Sequence, residues 1–183
     1  DAPASGPVRL RLAASTRYRA FLNGEFLGCG PAKGPHGFYR IDEIDLSPRL
    51  KPGRNLLAIE TVGYNVNSYD TIDQPSFLEA EVVADATVLA ATGDPARPFD
   101  VRVLPERVQK VQRYSFQRPF SEVYRLSPGF DRWRTDPDAP AGDARCAVLP
   151  PREHLKRGVA YCDFIVKPAV RTVARGGVRL GDM

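Results

Sequence analysis

At 183 residues the chain can hold one ordinary domain with a real core, and its 43% hydrophobic and 26% charged content is that of a globular protein. It contains no run of about 18 apolar residues, so no membrane span and no membrane partner are expected. The net charge of +4 is uneven: residues 146–183 carry seven of the 26 Lys/Arg and three of the 22 Asp/Glu, and the remainder balances. In that tail the basic residues alternate with apolar ones. This reads as a connector or a segment packed on a neighbour, and not as a nucleic-acid contact. The 17 prolines and 15 glycines argue for many turns between short strands and against long helices. Cys29, Cys146 and Cys162 form no C-x-x-C pair, which excludes zinc-ribbon and thioredoxin readings. An odd count leaves at least one thiol unpaired in a monomer. The others can be free buried thiols or, in an oxidising compartment, a Cys146–Cys162 disulfide.

Val8, Leu10 and Leu12 alternate with Arg9 and Arg11, a strand with one wet face. Tyr18, Ala20 and Leu22 alternate with Arg17, Arg19 and Phe21, and Asn23-Gly24 then closes a hairpin because both residues tolerate φ > 0. Phe26 and Leu27 start the return strand, and the Gly/Pro-rich loop 30–37 crosses to a third strand over Phe38–Ile44. Asp45 to Leu50 reads as one helical turn with Asp45 or Ser47 as cap. After turn residues 51–55, the apolar run Leu56–Val62 predicts a central strand buried on both faces. A polar, aromatic-studded loop, 63–75, leads to a hairpin of Phe77–Val83 and Thr87–Ala91 about Asp85-Ala86. Phe99–Leu104 and Val108–Tyr114 are the next predicted strands, and 136–143 (DPDAPAGD) is linker-like. About eight to ten short strands at this spacing predict an all-β, two-sheet antiparallel sandwich, a jelly roll.

The order FLNGEFLG, GPAKGP, YRIDEIDL, LKPGRNLLAIE, followed by RYSFQRPFSEVYRL, resembles the galactose-binding-like jelly-roll domains near the N-terminus of α-L-rhamnosidases, glycoside hydrolase family 78. The block PREHLKRGVAY resembles the connector to the next β domain of such enzymes. The resemblance therefore implies a jelly roll over 1–145, then a linker and the start of a following, truncated β domain over 146–183, with 170–180 as an incomplete strand pair. In those rhamnosidases the acid and base lie in a separate (α/α)6 barrel. The resemblance thus implies that no catalytic residue is present here, and that the partner is the catalytic helical-barrel domain of the same parent chain.

The residues themselves support little chemistry. There is no G-x-S-x-G, and His36 and His154 are far apart in sequence. Asp42, Glu43 and Asp45 could be imagined around calcium, but they lack an EF-type loop and read as solvated carboxylates with a cap at Asp45. No metal and no cofactor are expected. Among Asp42, Glu43, Glu60, Asp70, Asp73 and Glu122, nothing in the sequence sets two carboxyls across a cleft, as glycoside hydrolysis requires. Sugar binding uses aromatic faces and amide or carboxylate hydrogen bonds. Tyr64, Asn65, Asn67, Tyr69, Asp70 and Trp133 have those chemistries and are the candidate residues for an oligosaccharide or rhamnoside. The same aromatics could instead cap the sandwich or fill an interface. Arg40, Arg113 and Arg118 could pair with sugar or with strand carboxylates, and read as salt-bridging residues. Three functions follow: an accessory module bracing a catalytic domain, an autonomous carbohydrate-binding module, or a jelly-roll interaction domain without sugar binding.

Overall fold

The computed structural model describes residues 6–118, 120–140, 142, 144–165 and 167–177. Among them are eight strands: β1 (Val8–Ser15), β2 (Arg17–Leu22), β3 (Glu25–Gly30), β4 (Phe38–Asp45), β5 (Leu57–Val62), β6 (Phe77–Ala84), β7 (Thr87–Ala91) and β8 (Glu153–Lys156). Single 3-10 turns occur at Ser47–Arg49 and Arg132–Arg134. One sheet has the order β7-β6-β1-β4-β8, the other β3-β2-β5. The expected all-β two-sheet sandwich is therefore the observed architecture.

Period-two patterning builds the core. β1 turns Val8, Leu10, Leu12 and Ala14 inward, β2 turns in Tyr18, Ala20 and Leu22, and Leu27, Leu46, Ala80 and Ala84 complete the cluster. Leu10, Leu12, Leu22 and Leu46 are fully buried, each adding about 1.5–3 kcal/mol relative to exposure. β2 and β3 join through Asn23 and Gly24, both at positive φ (53° and 83°), as the hairpin reading requires. The Asn23 amide also ties that turn to the next one, donating to Asn55 Oδ1 at 2.8 Å while its Oδ1 accepts from the Leu56 N–H at 3.0 Å.

Several expectations change. β5 is covered on both faces but is an edge strand, because its only neighbour is β2. The stretches 99–104 and 108–114 form no strands, and among the described residues an isolated Arg107–Tyr124 bridge is the β pairing found there. Pro98 and Pro105 bound the first stretch and remove donors at its ends, and its apolar side chains part ways: Phe99 packs against the main core, Leu104 lines a small cavity with Trp133, and Val103 is exposed. Leu46, not Asp45 or Ser47, is the cap residue of the 3-10 turn, although Asp45 Oδ1 does accept from the Ser47 N–H at 2.9 Å. The pairing is not wholly antiparallel, since β8 lies parallel to β4, Phe38 opposite Glu153 through Ile41 opposite Lys156. β4 has a free edge on the side away from β1, and the tail arrives there running in the same direction. Residues 167–177 hold no strand, and the rest of the expected pair, 178–180, lies outside the described residues.

The tail is fastened by a buried charge. Asp42 has no exposed surface. Its register opposite Leu12 points it into the sandwich, so it is not the solvated carboxylate expected from sequence. The Tyr18 hydroxyl donates to its Oδ2 and Arg157 to its Oδ1, both at 2.5 Å. Burial, then the Asp42 charge, push the Tyr18 pKa far above that of an ordinary phenol. A buried carboxylate stripped of its cation is left uncompensated, so Arg157→Ala is expected to cost about 3–5 kcal/mol in urea unfolding. A loss below about 1 kcal/mol would show that water replaces the guanidinium.

Candidate functional site

Loop 63–76 gathers the sequence candidates at the end of β5, but most are engaged within the protein. Half-buried Tyr64 stacks on Phe120 (5.6 Å between centroids, 8° between planes), and its hydroxyl accepts from Arg107 Nη2 at 2.9 Å. Arg17 and Arg107 lie against the same ring at 6.0 and 5.7 Å. Asn65 Oδ1 accepts from the Ser76 hydroxyl at 2.5 Å, and Asn67 Oδ1 from the Asp73 N–H at 2.9 Å. Asp70 is held between Arg17 and Lys33. Lys33 lowers its pKa most, Arg17 adds to that, and burial opposes both. Asn65 and Asn67 are exposed but committed to these bonds, whereas the Tyr69 ring is open to solvent, 81% exposed.

Beside it lies Phe116, from the RYSFQRPFSEVYRL stretch. The Tyr69 N–H donates to the Phe116 carbonyl at 3.3 Å, and Phe116 and Tyr114 are 55% and 87% exposed. Arg113 bridges the rings of Phe116 and Phe120 at 5.0 and 5.4 Å. It is thus an aromatic-stacking residue and not a salt-bridging one. The signal for this loop was available: Arg-Tyr-Ser-Phe-Gln-Arg-Pro supplies no second apolar register for a buried strand.

Trp133 stands apart. It packs edge-on against Phe21 (5.9 Å, 87°). Phe21 and Arg17 are four residues apart on β2, about 13 Å at strand rise, so Trp133 does not join the Tyr64 loop. Between them Arg19 pairs with Glu60 at 2.5 Å and also donates to the Tyr124 hydroxyl at 2.9 Å. Burial, then the Glu60 charge, raise the Tyr124 pKa. Leu104, Phe130 and Trp133 roof this strip over a cavity of about 40 Å³.

The outer face of the five-stranded sheet bears a larger hollow, about 700 Å³, with Ala13 and Ile41 in its floor and Glu79, Glu81, His154 and Tyr161 at its sides. Arg11 reaches both Glu43 (2.9 Å) and Glu81 (3.3 Å), and His154 Nε2 lies 3.1 Å from Glu79 Oε2. Arg40 makes no carboxylate pair; it donates to the carbonyls of Lys33, Lys156 and Arg157 at 2.6–3.0 Å. Among the described residues no three His, Cys, Asp or Glu side chains gather as a metal site.

No protein-family model and no curated protein matches the sequence. Among solved structures the chain is similar to a GH78 family rhamnosidase of Bacillus sp. GL1, at 28% identity and a TM-score of 0.59. The likeness covers 80% of this chain and 15% of the rhamnosidase chain. The fold is therefore related to part of a GH78 enzyme.

The Asp70 clamp has a defined pH dependence. Its folded pKa is depressed, so its contribution is present above the unfolded carboxyl pKa and is lost as pH falls through the folded value. Lys33 is largely exposed, which limits the pair to about 1 kcal/mol or less. Asp70→Asn is expected to lower the thermal midpoint slightly at pH 7 and to match the parent protein in acid, below the depressed pKa. A deficit that persists there would mean the side chain acts through shape and not charge.

Proposed function

We propose that this chain is a non-catalytic sandwich module of an α-L-rhamnosidase-like glycoside hydrolase, and that it braces the helical barrel of the same parent chain. The likeness to one short part of a much longer rhamnosidase carries the reading. The distribution of exposed apolar side chains supports it. Apart from Phe38, Tyr69 and Ile72, every large hydrophobic residue exposed among the described residues follows residue 100, from Val103 to Val173. Apolar surface concentrated on one part of a chain marks an interface.

The test is rhamnoside hydrolysis and thermal unfolding of the parent chain with and without residues 1–145. Deletion is expected to lower the barrel's midpoint by about 5 °C or more, the size of a lost interface of a few kcal/mol, and to reduce activity with it. A truncated enzyme that unfolds and turns over unchanged overturns the bracing role.

A second reading, contact with a saccharide, is favoured by the exposed group Tyr69, Tyr114 and Phe116, whose ring faces are open to sugar C–H groups. Titrating the isolated chain with rhamnosides should move amide resonances of these loops, and Tyr69→Ala with Phe116→Ala should abolish the movement. Unmoved spectra at millimolar ligand would leave the bracing role standing alone.

A further inference from the structure

We propose that Cys29 and Cys162 form a disulfide clasp that closes the C-terminal tail onto edge strand β3 when a low-molecular-weight disulfide such as oxidised glutathione is supplied. The course of the tail brings the two thiols together. Arg157 is anchored on Asp42 Oδ1, and the other oxygen of that carboxylate fills the space that a Cβ on Gly30 would need. The anchor thus sits beside the C-terminal end of β3. Four residues on, the Tyr161 hydroxyl accepts from the Glu43 N–H at 2.7 Å and donates to the Glu43 carbonyl at 2.8 Å. Phe164 then lies on Gly28, where a Cβ would come within 2.8 Å of its ring, and meets Phe26 edge-on at 5.8 Å.

From Arg157 to Phe164 the tail therefore runs back along β3, from Gly30 towards Phe26. Cys162 passes at the level of Cys29. Both cysteines are exposed to an oxidant. Burial raises the Cys29 pKa, and the charge of Cys162 raises it further, as expected of neighbouring thiols. Cys146 shares none of these contacts, so the structure favours a different pairing from the Cys146–Cys162 one that sequence left open.

The exchange is balanced. One cysteine thiolate attacks a sulfur of oxidised glutathione and expels one glutathione; the second thiolate then displaces the other. Two protons leave the cysteines, and two electrons pass to glutathione, which departs as two thiols. The clasp is independent of the accessory role proposed above.

The experiment treats the Cys146→Ser chain with oxidised glutathione near pH 8, then combines thiol titration, tryptic mass mapping and thermal unfolding. Both remaining thiols should disappear, the mass should fall by two hydrogens, and one linked peptide should join residues 20–33 to residues 158–171. The midpoint should rise by about 5–15 °C, as expected for closing so long a loop, and dithiothreitol should reverse the rise. The Cys29→Ser, Cys146→Ser chain should gain no such stability. A product carrying two glutathiones without a cross-link overturns the clasp. So does a cross-link through Cys146 in the unsubstituted chain.

Discussion

The Asp42 carboxylate occupies an inward position of β4, in register with Leu12, where the rest of the sandwich has aliphatic side chains. Taking an ion out of water costs several kcal/mol, and only close charge-assisted partners offset that. Both partners are present, the Tyr18 hydroxyl from the facing sheet and the Arg157 guanidinium from 115 residues further along. The first bond ties the two sheets to each other. The second makes the tail a condition of the fold and not an appendage to it. Arg40 holds the same turn through the carbonyls of Lys156 and Arg157, and Arg157 lies 3.9 Å from the centroid of the Tyr161 ring. From this anchor follow the position of β8 at the edge of β4, the side wall of the large hollow, and the return of the tail along β3.

The two outer faces solve the same solvation problem differently. On the five-stranded sheet, Arg9, Arg11, Glu43 and Glu81 form a lattice of ion pairs in water, each worth little alone. At the far end of that face Ala13, Tyr39 and Phe77 are dry, because Arg152 lies over both rings, at 4.2 Å from Phe77 and 5.4 Å from Tyr39. On the three-stranded sheet, β2 offers Arg17, Arg19 and Phe21; Tyr64 of the loop after β5 covers the first, and an irregular later segment covers the others with Tyr124 and Trp133. Arginine against aromatic rings is the recurring joint there. Such joints bury ring faces without needing a strand's regular register, which is how residues 104–134 can cover a sheet while forming almost no ladder.

The strands that alternate cleanly, β1, β2, β6 and β7, are legible from sequence because their periodicity and their turn residues agree. The Asn23-Gly24 turn is legible for the same reason. Where the two signals conflict, legibility ends. Val101, Val103 and Leu104 carry an apolar pattern, but Pro98 and Pro105 flank it closely and Val103 stays exposed. Asp42 carried a usable signal: in Arg40-Ile41-Asp42-Glu43-Ile44 it shares a face with Ile44, so an acid was due to be buried and had to find a cation. Nothing local identifies that cation as Arg157, since the pairing spans most of the chain. The candidate loop was legible by composition. Which of its aromatics face solvent depended on Arg17, Arg107 and Phe120, distant residues that lie against the ring of Tyr64 and leave Tyr69 open.

The acids themselves argue about chemistry. A glycosidase needs one carboxyl kept protonated by its surroundings and a second across a gap of roughly 5–9.5 Å. The environments here act the other way. Asp42 is held by Arg157, Glu60 by Arg19, Glu43 by two arginines, Glu122 by Arg107, and Asp70 by Lys33 and Arg17. A cation at bonding distance favours the ionised form, and Asp70 is shifted downward accordingly. Carboxylates committed in this way hold strands, loops and tail together. Such pairs fit the bracing role proposed for the sandwich.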